Sequence, residues 1–240
     1  MYLFVVVQDR DGYRTQPAGA KFKARLEEAS GEPCLIVPYE DFTLDMVREL
    51  RPRAVAMSGF GGHFQDMKVA HFLGMDEVMH KADLPIICFC GSHQLLGMSY
   101  SRNLRRVKLL HDEPMRKLGP RDDVVRHARV SKTVKDYASY FFADGYYLIR
   151  QTRTDPLFAG LPKTMIMRCA HYCEVKRLPP GFKLLATSSH CAIEAMRHAS
   201  RPLYGTQFHP EAFEEPFLHG KKLLSNFARI VDRFWKARLV

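Results

Sequence analysis

The sequence predicts an α/β fold: an open, mixed and mostly parallel sheet with helices on both faces. Three observations carry that expectation. In the first hundred residues, short apolar runs of strand length (3–7, 34–37, 54–57 and 86–90) alternate with charged segments of helical spacing. Two of those runs end in turns of small residues, at Ser58-Gly59-Phe60-Gly61-Gly62 and at Cys88 to Ser92, as happens where ligands gather at the carboxyl edge of a parallel sheet. Further along, runs at 165–167, 183–186, 192–196 and 203–208 lie close enough together for antiparallel hairpins, which makes the sheet mixed.

Taken in order, 3–7 reads as a buried first strand closed by a turn at Asp9-Arg10-Asp11-Gly12. Over 18–29 the charges interleave with Phe22, Leu26 and Ala29 at helical spacing, and Gly31 supplies the stop. Strand 34–37 follows Pro33, Thr43 is placed to cap a helix over 44–50, and 54–57 leads into the glycine-rich turn. That turn lacks the Lys-Ser/Thr of a phosphate loop and the spacing of a dinucleotide fingerprint, so its use is to offer a backbone N–H beside the next strand. Residues 67–80 read as a helix, and Pro85 bounds the strand that ends at Cys90. The segment 101–136 is dense in Arg and Lys and reads as a basic insertion near the catalytic edge. Residues 137–142 and 146–149 are aromatic enough to pack, 155–162 reads as a short helical turn between breakers, and 217–234 suits a closing amphipathic helix.

Length and composition set the bounds. With 240 residues, 46% of them hydrophobic, the chain is expected to form one domain with a sizeable core. Six cysteines in apolar contexts and no leader-like N-terminus point to reduced thiols in a cytoplasmic protein, and no apolar run is long enough to span a membrane. The net charge of +10 would suit a nucleic-acid partner, but no nucleic-acid-binding motif accompanies it. Neither Cys88-x-Cys90 nor Cys169-x₃-Cys173 has the four-ligand spacing of a structural zinc site, so no metal is expected; His171, lying between the second pair, is the one reservation. No cofactor motif is present.

The chemistry concentrates in two stretches. A nucleophile on a sharp strand-to-helix turn needs small residues two places before and after it. Cys88 and Ser92 meet that need for Cys90, whereas Ile86 fails it for Cys88. Cys90 is therefore the candidate nucleophile and Cys88 a packing residue. At a helix N-terminus free N–H groups favour negative charge, and the N–H of Gly91 can face a developing oxyanion together with that of Phe60 or Gly61. The second stretch is Tyr204-Gly205-Thr206-Gln207-Phe208-His209-Pro210-Glu211, in which a strand delivers a histidine and an extended backbone sets Glu211 on the same side to orient it.

The elbow followed by His93-Gln94, the 204–211 segment and their order on the chain resemble class I glutamine amidotransferases, whose elbow is written G-x-C-x-G-H-Q and whose second motif is Y-G-x-Q-F-H-P-E. The likeness spans nearly the whole chain. Residues 58–62 fall where that family has an oxyanion loop, 155–162 match its D-P-L-F-x-G-L-P stretch, and Ala170-His171-Tyr172-Cys173-Glu174-Val175 looks like its S-H-G-D-x-V segment. The resemblance implies a flavodoxin-like sheet and a Cys90, His209, Glu211 triad. It also implies a γ-glutamyl thioester that releases ammonia to a separate synthetase, with Gln94 and the backbone at Tyr172 and Cys173 holding the substrate. Cys88, the Gly91-Ser92 order, Phe60, Ala170, Tyr172 and Cys173 all depart from the family pattern, and Cys173, where GMP synthetase glutaminases carry aspartate, sets the chain apart from them. Two other readings stay open: a stand-alone hydrolase of bulkier γ-glutamyl amides, and a non-catalytic binding protein on the same fold. The sequence leaves the oligomeric state open.

Overall fold

The computed structural model describes residues 1–131 and 137–239. Its centre is a nine-stranded sheet in the order β2-β1-β3-β4-β9-β8-β7-β5-β6. The strands β1 (Tyr2–Val6), β2 (Cys34–Pro38), β3 (Ala54–Met57), β4 (Ile86–Phe89) and β9 (Leu203–Thr206) are mutually parallel. The remaining four, β5 (Ala143–Gln151), β6 (Thr164–His171), β7 (Phe182–Thr187) and β8 (Ala195–His198), add antiparallel pairings on one side. A parallel strand flanked by parallel neighbours is buried on both faces, which is why β1, β3 and β4 read as unbroken apolar runs. Within β1 the alternation is still visible in which layer each side chain enters: Leu3 and Val5 face one core, Tyr2, Phe4 and Val6 the other.

Helices α3 (Leu44–Leu50), α4 (Val69–Lys81) and α5 (Gly91–Ser101) cover the first face; α2 (Ala20–Ser30) and the closing α7 (His219–Lys236) cover the second. The cap at Thr43 forms as expected, its hydroxyl accepting the Met46 N–H at 3.1 Å. On α7, Leu223, Leu224, Phe227 and Val231 are buried at helical spacing.

Several expectations are corrected. The turn after β1 is a six-residue helix, α1 (Arg10–Thr15), because the Asp9 carboxylate caps it by accepting the Gly12 N–H at 2.7 Å. The helix expected over 67–80 starts at Val69 and runs one residue further, as α4, and a 3₁₀ turn at Phe64–Asp66 precedes it. The run at 165–167 belongs to β6, an edge strand that pairs with β5 and not with β7, so of the four runs only those in β7, β8 and β9 pair antiparallel with one another in succession. Of the two packing segments, 137–142 forms no strand of the sheet although Phe141 packs in the core, and 146–149 lies within the longer strand 143–151. Nor does the strand at 203–208 reach His209: it ends at Thr206, and Pro210–Ala212 is a 3₁₀ turn with the proline at its start, where a missing N–H costs nothing.

In the basic segment, Asn103 caps a 3₁₀ turn at Leu104–Arg106, and α6 (Val124–Ser131) follows. Lys132, Lys135 and Asp136 lie outside the described residues. Residues 110–117 run beside 172–174, with Met115 N–H donating to the Tyr172 carbonyl at 2.8 Å and Glu174 N–H to that of Glu113 at 3.0 Å. No helix among the described residues is long and apolar enough to cross a membrane.

Candidate active site

Cys90 sits between β4 and α5 with φ 46° and ψ −108°, a left-handed backbone that a non-glycine residue adopts only under constraint. Its neighbours supply the constraint. Its N–H donates to the Thr206 carbonyl at 2.7 Å, locking the turn to β9, and its carbonyl accepts the Gln94 N–H at 3.0 Å, starting α5. The result is a thiol above the sheet at a helix N-terminus. Cys88, two residues earlier, points into the core between Met57 and Met79, and burial pushes its thiol pKa up.

The turn at 58–62 approaches so closely that a Cβ on Gly59 would come within 2.9 Å of both Cys90 Cβ and His209 Cε1. Only glycine fits there. Ser92 donates from its hydroxyl to the Ser58 carbonyl, and Ser58 Oγ accepts the Val7 N–H, so loop, elbow and β1 are tied together. The Phe60 ring covers Gly91 and would collide with any side chain on it. Phe60 and Gly91 are thus one departure from the family pattern, not two: the bulk has moved from the elbow to the loop.

His209 Nδ1 lies 2.7 Å from Glu211 Oε1, a distance at which the imidazole donates to the carboxylate and leaves Nε2 for the thiol. Desolvation lowers the His209 pKa, but the charge of Glu211 and the interaction with Cys90 outweigh it and raise it well above the ordinary value. The base and its orienter are nearly dry, with side chains 15% and 2% exposed.

Of the other residues singled out from the sequence, Phe60, Gly91, Gln94, Tyr172 and Cys173 line one small cleft with Cys90, while Gly61 is not among its lining residues. Gln94 spends its amide donors inside the protein, on the Cys173 carbonyl at 2.9 Å and on Gln207 Oε1 at 3.2 Å. Tyr172 closes the cleft: its hydroxyl donates to the Gly62 carbonyl at 2.7 Å, and its ring stacks on Tyr137 and Phe142. Two residues are not apparent from the sequence alone. Gln207 Nε2 donates to Cys90 Sγ at 3.6 Å, and its place in the second motif is the only signal. Asp112 accepts the Phe64 N–H at 2.9 Å and contacts His63 Nδ1 at 2.6 Å; nothing in a basic segment marks it out.

A sharp elbow bearing cysteine, a histidine just past the end of its neighbouring strand and a glutamate behind the histidine make a nucleophile, base and orienter set for acyl transfer. The sequence model of the class-I glutamine amidotransferase family matches residues 23–231. The chain belongs to that family. This class-I glutamine amidotransferase is 48% identical over 85 residues to a glutamine-hydrolysing GMP synthase subunit from Archaeoglobus fulgidus, a stretch covering 35% of this chain and 45% of the relative. It is 29% identical over 187 residues to the subunit of that name from Thermococcus kodakarensis, covering 78% and 80%. The first of these alignments thus spans under half of the relative. These relatives bear the name of the group from which Cys173 is expected to set the chain apart. Among solved structures, one from Thermoplasma acidophilum, described as the corresponding GMP synthase subunit, superposes with TM-score 0.70 at 20% identity, over 100% of this chain and 98% of the other. A glutamine amidotransferase from Thermotoga maritima superposes with TM-score 0.62 at 10% identity, over 96% and 97%. Both likenesses establish the fold.

Proposed function

We propose that the protein hydrolyses the side-chain amide of glutamine through a thioester on Cys90 and delivers the ammonia to a separate synthetase. The observation that carries this reading is the constrained Cys90 elbow facing a histidine bonded to Glu211 at 2.7 Å. The Cys90 sulfur attacks the amide carbonyl carbon while its proton passes to His209 Nε2. The resulting oxyanion faces the N–H of Gly91 and that of Phe60 or Gly61. His209 returns the proton to the amide nitrogen, the C–N bond breaks, and ammonia leaves a γ-glutamyl thioester. Water, deprotonated by His209, then attacks the thioester, releasing glutamate and restoring the thiol. Glu211 stabilises the imidazolium throughout without taking its proton.

The size of the cleft favours glutamine over bulkier amides. Little room is left beside Cys90, because Tyr172 closes over it onto the Gly62 carbonyl. The relatives named as glutamine-hydrolysing subunits support a synthetase on a separate chain and make a nucleotide synthetase the first partner to assay.

The test is ammonia release from glutamine. Cys90→Ala should abolish it with the fold intact, and an electrophilic glutamine analogue should label Cys90 ahead of the other five cysteines. Glu211→Gln should slow turnover by up to about 10⁴, but less than His209→Ala. Turnover retained in Cys90→Ala, or first labelling of Cys88, would refute the assignment.

A further inference from the structure

A second cluster, which the proposed reaction does not use, reaches inward from the cleft wall at His171. The far end of the β5–β6 hairpin, where Ala143 pairs with His171, stands at the catalytic edge, with the Ala170 carbonyl 3.8 Å from Cys90 Sγ. Cys169 and His171, two apart on β6, share its inward face. The connection from β7 to β8 brings His190 and Glu194 to meet them. All four side chains are buried, and one donor atom from each lies within 4.8 Å of the other three.

Three of the four present polar atoms with no hydrogen-bond partner: His171 Nε2, His190 Nε2 and both oxygens of Glu194. His190 Nε2 and Glu194 Oε1 are 3.4 Å apart but outside hydrogen-bond alignment. Buried polar atoms are ordinarily satisfied, so this many converging on one point call for an absent partner. The His171 ring is already set to receive a cation, since Nδ1 donates to the Cys173 carbonyl at 3.0 Å and leaves the Nε2 lone pair aimed into the cluster. His190 is wedged between the rings of Phe141 and Tyr147.

We propose that Cys169 Sγ, His171 Nε2, His190 Nε2 and a Glu194 carboxylate oxygen form a closed, structural zinc site. The donor set suits the ion: sulfur, two imidazole nitrogens and one carboxylate are all zinc ligands. Charge balances as well, because a thiolate and a carboxylate offset a dication and leave a neutral complex in a dry interior. Bonds of about 2.0–2.3 Å to a tetrahedral ion separate its donors by about 3.3–3.8 Å, so the present spread closes with small side-chain rotations. With all four positions taken by protein, no place remains for water or substrate; the ion's work is to pin the open end of the hairpin to the β7–β8 connection. Ala170 lies at that end and Tyr172 and Cys173 follow directly, so the ion would hold the wall of the cleft in place.

The experiment counts metal rather than turnover and so stands apart from the proposed reaction. Full-length protein and its Cys90→Ala variant are stripped with a chelator, given zinc chloride, desalted, and assayed for zinc by mass spectrometry alongside Cys169→Ser and Glu194→Gln. The expected result is about one zinc per chain in wild type and Cys90→Ala, background zinc in the other two, and a melting temperature raised by zinc only where zinc is retained. Zinc lost from Cys90→Ala but kept by Cys169→Ser would put the ion at the triad and overturn the proposal, as would no zinc in wild type. Should the cluster variants fail to fold, cobalt in wild type with Cys90 alkylated decides: a thiolate-to-cobalt absorption band is expected, and cobalt bound without that band, or not bound, overturns it.

Discussion

Gly91 carries no side chain because the Phe60 ring fills the space a Cβ would need. Gly91→Ala should therefore cost about 1–3 kcal/mol in urea unfolding, the usual range for overpacking. In a Phe60→Ala background the same change should cost at least about 1 kcal/mol less, a coupling that a double-mutant cycle reads directly. A second residue-scale device lies just behind the elbow. His93 is fully buried, with Nε2 bonded to the Ile193 carbonyl at 3.1 Å and Nδ1 unpartnered, and burial lowers its pKa to about 4. The unfolded chain regains an ordinary histidine near 6.5 and so binds the proton first as pH falls. Between those values the unfolded state holds more protons, and the contribution of His93 alone drops with falling pH, by about 2 kcal/mol from pH 6.5 to 5. His93→Gln keeps a donor for Ile193 and should make that stretch of the stability profile less steep, the buried His171 and His190 carrying the remainder. Equal acid sensitivity in the variant would show that other groups carry it.

At the scale of elements, two contacts shape the cleft: Tyr172 at the end of β6 closes on the glycine turn, and Asp112 from the basic segment holds the 3₁₀ turn at Phe64. Tyr172→Ala should open the gap and raise the rate with bulky γ-glutamyl amides relative to glutamine, measured as a ratio of kcat/KM values; an unchanged ratio would free Tyr172 of any part in selection. The elements most legible in the sequence are those with local instructions. Thr43 and the apolar run 54–57 mark α3 and β3 at their observed bounds, and the spacings around Cys90 and His209 reveal the elbow and its base. What stays hidden depends on partners remote in sequence. Asp112 matters only because it meets His63 and Phe64, and β6 looks like one more strand of a meander because pairing order is not written in the strand itself. His190 and Glu194 carry no motif; the turn of the chain between β7 and β8 brings them to Cys169.

Across the whole molecule, the charge of +10 gathers in part on the segment that borders the cleft. Arg116 pairs tightly with Asp122 at 2.6 Å, but Arg102 and Arg105 reach Glu113 and Glu77 only at 3.7 Å each, and such exposed pairs add little stability. Neutralising Arg102, Arg105 and Arg106 together should leave glutamine hydrolysis near normal, while binding to a synthetase weakens and loses much of its salt dependence. Unchanged binding would remove this face from consideration; collapse of hydrolysis alone would make the segment part of the substrate pocket.

The order of the sheet also bears on how the protein is made. The strand beside β4 is the last of the nine, and 117 residues separate Cys90 from Gln207, the residue that touches its sulfur from β9's end. During synthesis the cysteine-bearing half emerges from the ribosome long before the histidine that arms it. Until that last strand slots in, the turn at Cys90 lacks the Thr206 clamp that holds its backbone. The nascent chain therefore carries an ordinary thiol, and reactivity arrives only when the fold is all but complete.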